Sequence, residues 1–139
     1  ISLPEGSFEN DNPKKLFLNQ LDFDKHDSFK SLKGLKVSAH ILIERDGSLT
    51  QFVPFNKCAW HAGESTYAGR DSCNEFSIGI ELKGSIKEEF TSKQYLVLNN
   101  LLYLLKEEYG EMNIVGHSDI APNRKNDPGP FFNWDMINV

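Results

Sequence analysis

The sequence predicts an α/β domain, a central mixed β-sheet flanked by helices. Three observations carry that expectation. Val37 to Ile43 alternates with Val37, Ala39, Ile41 and Ile43 on one face, and Asp46-Gly47 turns it into a returning strand, Leu49 to Val53. Thr91 to Tyr109 has the 3.6-residue apolar period of an amphipathic helix. Two further strand candidates, Phe76 to Leu82 and Ile114-Val115, flank that helix, so the order of elements is that of an α/β fold. A length of 139 residues suits one domain, 1–139, with a core of its own.

Taken in order, Ile1 to Asn12 is polar and punctuated by Gly and Pro, a loop. Asn12 caps a short helix with Pro13 at its first position and Leu16, Phe17 and Leu21 turned inward. Phe23 to Ser28 is a charged connector in which His26 is solvated, and Asp27 to Gly34 is a second short helix with Asp27 as its cap. His40 falls on the opposite face of its strand from the apolar set and reads as a hydrogen-bonded structural histidine. Ser65 to Asn74 is small and polar, the rim of whatever lies beside it. In Phe76 to Leu82, Phe76, Ile78 and Ile80 face one way while Ser77, Gly79 and Glu81 face the other. The long helix opens on a capping box, Thr91-Ser92-Lys93-Gln94, and stops at Gly110. Its stripe of Tyr95, Leu98, Leu102, Leu105 and Tyr109, widened by Leu101, packs on the sheet. Ile114-Val115 then delivers His117 to the last loop.

A net charge of −5 with signs interspersed argues against a nucleic-acid or anionic-membrane partner. No run of about 18 apolar residues is present to span a membrane. Cys58 and Cys73 permit one disulfide but make no framework, and read as reduced thiols. No signal peptide is visible, and a start at Ile1 rather than Met leads us to expect residues upstream.

The chemistry concentrates in Gly116-His117-Ser118-Asp119-Ile120-Ala121-Pro122-Asn123-Arg124-Lys125-Asn126-Asp127-Pro128-Gly129-Pro130. These fifteen residues hold an imidazole, two carboxylates and two cations, kept out of regular structure by three prolines and two glycines. His117 and Asp127, ten positions apart, are donors that a returning loop can close around one zinc. Lys125 shares a face with Asp127 in an extended segment, where a cation suits a developing oxyanion. The same spacing also suits a polar turn in which Asp127 caps backbone donors. Glu81 is a carboxylate in an otherwise apolar strand, costly unless paired or functional, and reads as a general base or a strand-end ion pair. Trp60 and His61, before Ala62 and Gly63, fit either a ligand wall or a core tryptophan with a capping histidine.

Four stretches, VSAHILIERDG, WHAG, FSIGIEL and GHSDIAPNRKNDPGP, occur in an order that resembles the zinc N-acetylmuramoyl-L-alanine amidases. That broad family includes phage amidase lysozymes and peptidoglycan recognition proteins, and the resemblance runs from Ile1 to about Trp134. It implies Zn2+ held by His117, Asp127 and a first ligand two positions before Ile1, a catalytic Glu81, and Lys125 at the oxyanion. It places Trp60, His61, Lys36 and Asn74 at the substrate groove. The family often has arginine where Lys36 and Ser72 stand; Lys36 keeps a charge without the fork, and Ser72 keeps neither. The implied activity is cleavage of the amide between the lactyl group of N-acetylmuramic acid and L-alanine. The implied substrate is a small 1,6-anhydro-muropeptide in cytoplasmic cell-wall recycling, acted on by a monomer. Two rival readings are a muropeptide-binding module without chemistry and a zinc peptidase cutting the stem peptide.

Overall fold

The computed structural model describes residues 1–139 throughout. Helix α1 runs Asn12–Phe17, with Pro13 in its first turn and Leu16 and Phe17 buried. Its cap is Asp11 rather than Asn12, without a side-chain bond; Asn12 is already helical and its amide donates to Asn10 Oδ1 at 2.9 Å. Asp27–Leu32 is a 3₁₀ turn that buries Phe29. His26, exposed as expected, is its cap in place of Asp27, accepting from the Ser28 amide at 3.1 Å.

The sheet has three strands, β1 (Ile41–Ile43), β2 (Leu49–Gln51) and, after a hairpin of β3 (Thr66–Tyr67) and β4 (Arg70–Asp71), β5 (Ile80–Leu82). Their order is β2-β1-β5, with β2 antiparallel to β1 and β5 parallel to it, so the sheet is mixed. Leu42 pairs with Glu81 across the parallel ladder. At the outer edge of β5 the Ile1 amino group donates to Leu82 O at 2.7 Å and the Gly84 amide donates to Ile1 O at 3.0 Å. That is a parallel bridge, with Ile1 level with Lys83.

The strands are shorter than expected, and one expectation about their faces is corrected. Ile41 and Ile43 pack with Tyr95, Leu98 and Leu102, whereas Ala39 and Leu42 pack with Leu16, Phe17 and Phe29. The alternation breaks because the Gly79 carbonyl accepts from both the His40 and Ile41 amides, at 3.0 and 3.3 Å. Two residues opposite one is a bulge, and it moves everything before it to the other face. His40 sits inside that bulge, fully buried, with Nε2 donating to Lys57 O at 2.7 Å and Nδ1 accepting from the Gly79 amide at 3.1 Å. It is the structural histidine that the sequence suggests.

Helix α2 (Ser92–Tyr109) opens on the Thr91–Gln94 capping box and closes at Gly110, whose φ of +86° favours glycine. Its stripe is buried through Leu105, while Tyr109 is half exposed. Ile114-Val115 is not a strand. Residues 111–116 have no regular structure, and Ile114 reaches the core by its side chain without joining a ladder. A four-residue helix, α3 (His117–Ile120), follows. Cys58 and Cys73 are free thiols. No helix is long and apolar enough to cross a membrane.

Candidate active site

Strand β5 presents its two faces to different surroundings. Ile80 and Leu82 turn toward the α2 core. Glu81 and, two residues earlier, Gly79 turn the other way. A Cβ on Gly79 would come within 2.3 Å of the His61 ring, so the imidazole packs directly against bare backbone. The segment carrying His61 is tied down by Asn74, whose Oδ1 accepts from the His61 amide at 3.1 Å and the Ala62 amide at 2.8 Å. Asn74 therefore holds the wall, a role invisible in the sequence because its partners are 13 and 12 residues away.

The 116–130 loop closes on itself through Ser118 N to Asp127 O at 2.9 Å. Asp119 is spent locally, accepting from the Gly116 amide at 2.7 Å. The closure brings His117 Nδ1 within 3.3 Å of Asp127 Oδ2, the pairing that the spacing predicts. On its other side, His117 Nε2 lies 2.9 Å from Ala62 O. Both neighbours only accept, so a protonated ring donates to each, while a neutral ring keeps one hydrogen and leaves a lone pair on the other nitrogen.

The electrostatics divide these groups. Burial lifts the Glu81 carboxyl above the usual range; the Ile1 amino group opposes that, Asp127 adds to it, and His117 and Lys125 offset part of it. No protein donor bonds its oxygens. The hydrogen bond that protonated His117 donates to the Asp127 carboxylate raises the His117 pKa, against burial and with help from the Ala62 carbonyl. Burial pushes Asp127 up, but the His117 bond and charge outweigh it and leave the carboxyl below its ordinary value. Burial, then His40 and His117, push His61 down to about 4, so it is neutral at pH 7.

His117 pairs with Asp127, His61 and Glu81 both feel the His117 charge, and Glu81 feels Asp127 and Lys125 as well, so these five side chains share one groove with Trp60 next to His61 at its edge. Trp60 is 55% exposed there, a free ring face rather than a core residue. Lys36 is exposed and pairs with no acid, although its neighbours Leu35 and Val37 border the groove. Arg124, which sequence reasoning passed over, donates to Ala62 O at 2.6 Å and Glu64 O at 2.9 Å.

This geometry matches known proteins closely. Residues 12–130 match the N-acetylmuramoyl-L-alanine amidase family model. The 1,6-anhydro-N-acetylmuramyl-L-alanine amidase AmpD of Escherichia coli K12 is 48% identical over 141 residues, covering 100% of this chain and 77% of its own. A crystal structure of a selenomethionine AmpD derivative superposes with a TM-score of 0.96 at 47% identity, covering 99% of this chain and 78% of that one. Escherichia coli AmiD, in complex with anhydro-N-acetylmuramic acid-L-Ala-D-gamma-Glu-L-Lys, superposes at 0.69 with 35% identity, covering 84% and 51%. The chain belongs to the N-acetylmuramoyl-L-alanine amidase family and is a hydrolase of that kind.

Proposed function

We propose that the chain is a zinc amidase of cell-wall recycling. It would cleave the amide between the lactyl group of 1,6-anhydro-N-acetylmuramic acid and L-alanine, as a cytoplasmic monomer acting on small muropeptides. The observation that carries the reading is Glu81, a desolvated carboxylate without a donor, beside a His117–Asp127 pair and Lys125 in a groove walled by Trp60 and His61.

The donor set fits zinc. His117 Nδ1 offers its lone pair to a metal when the neutral ring keeps its hydrogen on Nε2, facing the Ala62 carbonyl. Asp127 Oδ2 stands 3.3 Å from it. These are two of the three protein ligands of a catalytic zinc, and no third His, Cys, Asp or Glu joins them within residues 1–139. The third donor implied by the resemblance, two positions before Ile1, would stand level with Glu81 if the parallel bridge at Ile1 continues. When bound, the zinc supplies an acidified water and polarises the scissile carbonyl.

The remaining work belongs to the chain's own side chains. Glu81 accepts the attacking water's proton on its carboxylate and returns it to the leaving L-alanine nitrogen, and burial tunes it toward that exchange. Lys125 Nζ sets a positive charge against the developing oxyanion. Trp60 offers a flat apolar surface to the sugar or the peptide. His61, neutral and pinned on Gly79, contributes a hydrogen-bonding wall that does not repel a cation.

Mass spectrometry of the products from 1,6-anhydro-N-acetylmuramyl-L-Ala-D-Glu-L-Lys tests the reading. The expected products are the free sugar acid and a tripeptide with a free L-alanine amine, formed with zinc and not after chelation. A cut that leaves L-alanine on the sugar means a peptidase. Chelator-resistant binding with intact substrate means a binding module. Either result overturns the proposal.

A further inference from the structure

The Ala62 carbonyl receives two donors from the 116–130 loop, His117 Nε2 at 2.9 Å and Arg124 Nη2 at 2.6 Å. A carbonyl oxygen has two lone pairs, and both are occupied. The same Arg124 nitrogen donates its second hydrogen to Glu64 O at 2.9 Å. One guanidinium nitrogen therefore clamps the carbonyls on either side of Gly63. That glycine has φ +62°, and a Cβ on it would come within 2.8 Å of Nη2. The clamp depends on glycine in two ways, conformation and space. Arg124 is itself anchored, its amide donating to Ala121 O at 3.0 Å.

The clamp matters because His117 has two acceptors competing for one hydrogen. Ala62 O stands at Nε2, and the Asp127 carboxylate stands 3.3 Å from Nδ1. A charged acceptor is the stronger attractor. Left to that competition, the neutral ring would put its hydrogen on Nδ1 and point it at Asp127. Such a ring has no lone pair on the side of the metal loop. We propose that Arg124 is a positioning residue. By fixing the Ala62 carbonyl against Nε2, it selects the His117 tautomer whose Nδ1 can accept a metal. The inference deepens the zinc reading, on which the use of the tautomer rests, but the tautomer is measurable without metal.

The test uses the whole protein, metal-free, with 15N-labelled histidine and long-range 1H–15N correlation well above neutral pH. The unsubstituted protein should show His117 as the Nε2–H form. Arg124→Met should shift it toward Nδ1–H, and Arg124→Lys, which restores one donor, should recover part of the Nε2–H population. Competition against a chromogenic chelator with zinc ion alone should show affinity about 10–100-fold weaker in Arg124→Met, with a smaller loss in Arg124→Lys. An unsubstituted protein already in the Nδ1–H form, or an Arg124→Met variant with unchanged tautomer and affinity, overturns the inference. If Arg124→Met does not fold, Gly63→Ala displaces the guanidinium while keeping its charge and carries the same expectation; an unchanged tautomer there overturns it equally. Failure of the unsubstituted protein to bind zinc at all would sink the zinc reading, and the tautomer comparison would still decide the role of Arg124.

Discussion

Gln94 and Glu81 are side chains of the same length on opposite sides of one small sheet, and they are treated in opposite ways. Gln94 is fully buried and fully employed. Its Nε2 donates to Lys83 O at 2.8 Å and Ile43 O at 3.3 Å, and its Oε1 accepts from the Thr91 amide at 3.0 Å. It closes the cap of α2 and ties that helix to the ends of β1 and β5. Glu81 is half-buried, yet no donor bonds it, and its carboxyl is held above its ordinary value by desolvation and Asp127. The helix side satisfies its polar groups, so they contribute stability. The groove side leaves Glu81 unsatisfied, and an unsatisfied carboxylate is available to a proton. Strand β5 separates the two by alternation alone, with Ile80 and Leu82 on one face and Gly79 and Glu81 on the other.

If that division holds, groove-side changes should alter rate without lowering stability, and helix-side changes should do the reverse. The largest effect belongs to Glu81→Gln, which keeps the shape and removes the proton acceptor. Turnover on the anhydro-muropeptide should fall about 10²–10⁴-fold in a steady-state assay. Lys125→Ala should lower kcat about 10²–10³-fold with little change in thermal midpoint. On the other side, Leu98→Ala leaves a hole under α2 and should cost about 2–5 kcal/mol in urea unfolding, with kcat per folded molecule unchanged.

The smallest effect lies at the boundary. His61 has its folded value depressed to about 4, so between about pH 6.5 and 4 the unfolded chain takes a proton that the folded one refuses. Its contribution is present above 6.5 and lost as the pH falls. The metal-free protein should therefore lose up to about 3 kcal/mol more than His61→Gln over that range, read as the difference between two denaturation series.

The helix side was legible from sequence because its signals are local. The capping box, the stop at Gly110 and the stripe from Tyr95 to Leu105 lie within one segment, and each is where the residues place it. The His117–Asp127 pair was legible because the whole 116–130 run, with three prolines and two glycines, is too broken for a long helix or strand and so suits a loop that returns on itself. What was not legible depends on distant partners. The bulge that moves Ala39 to the other core is made by the Gly79 carbonyl, and nothing near Ala39 announces it. Ile114-Val115 has the composition of a strand, but composition reports burial, and Ile114 packs half-buried against the core without a ladder. Asn74 reads as a rim residue, and only the fold shows its Oδ1 committed to the backbone of His61 and Ala62. Arg124 was one of two cations in the loop until its contacts 62 and 60 residues away separated it from Lys125.

The most direct test of the division is the thermal midpoint of metal-free Glu81→Gln at pH 7. A carboxyl whose folded value is raised weakens the fold wherever it is ionised, so removing its charge should leave the midpoint equal to or above that of the unsubstituted protein. A midpoint several degrees lower would show that Glu81 holds the structure together as Gln94 does, and the two sides of β5 would not differ as argued.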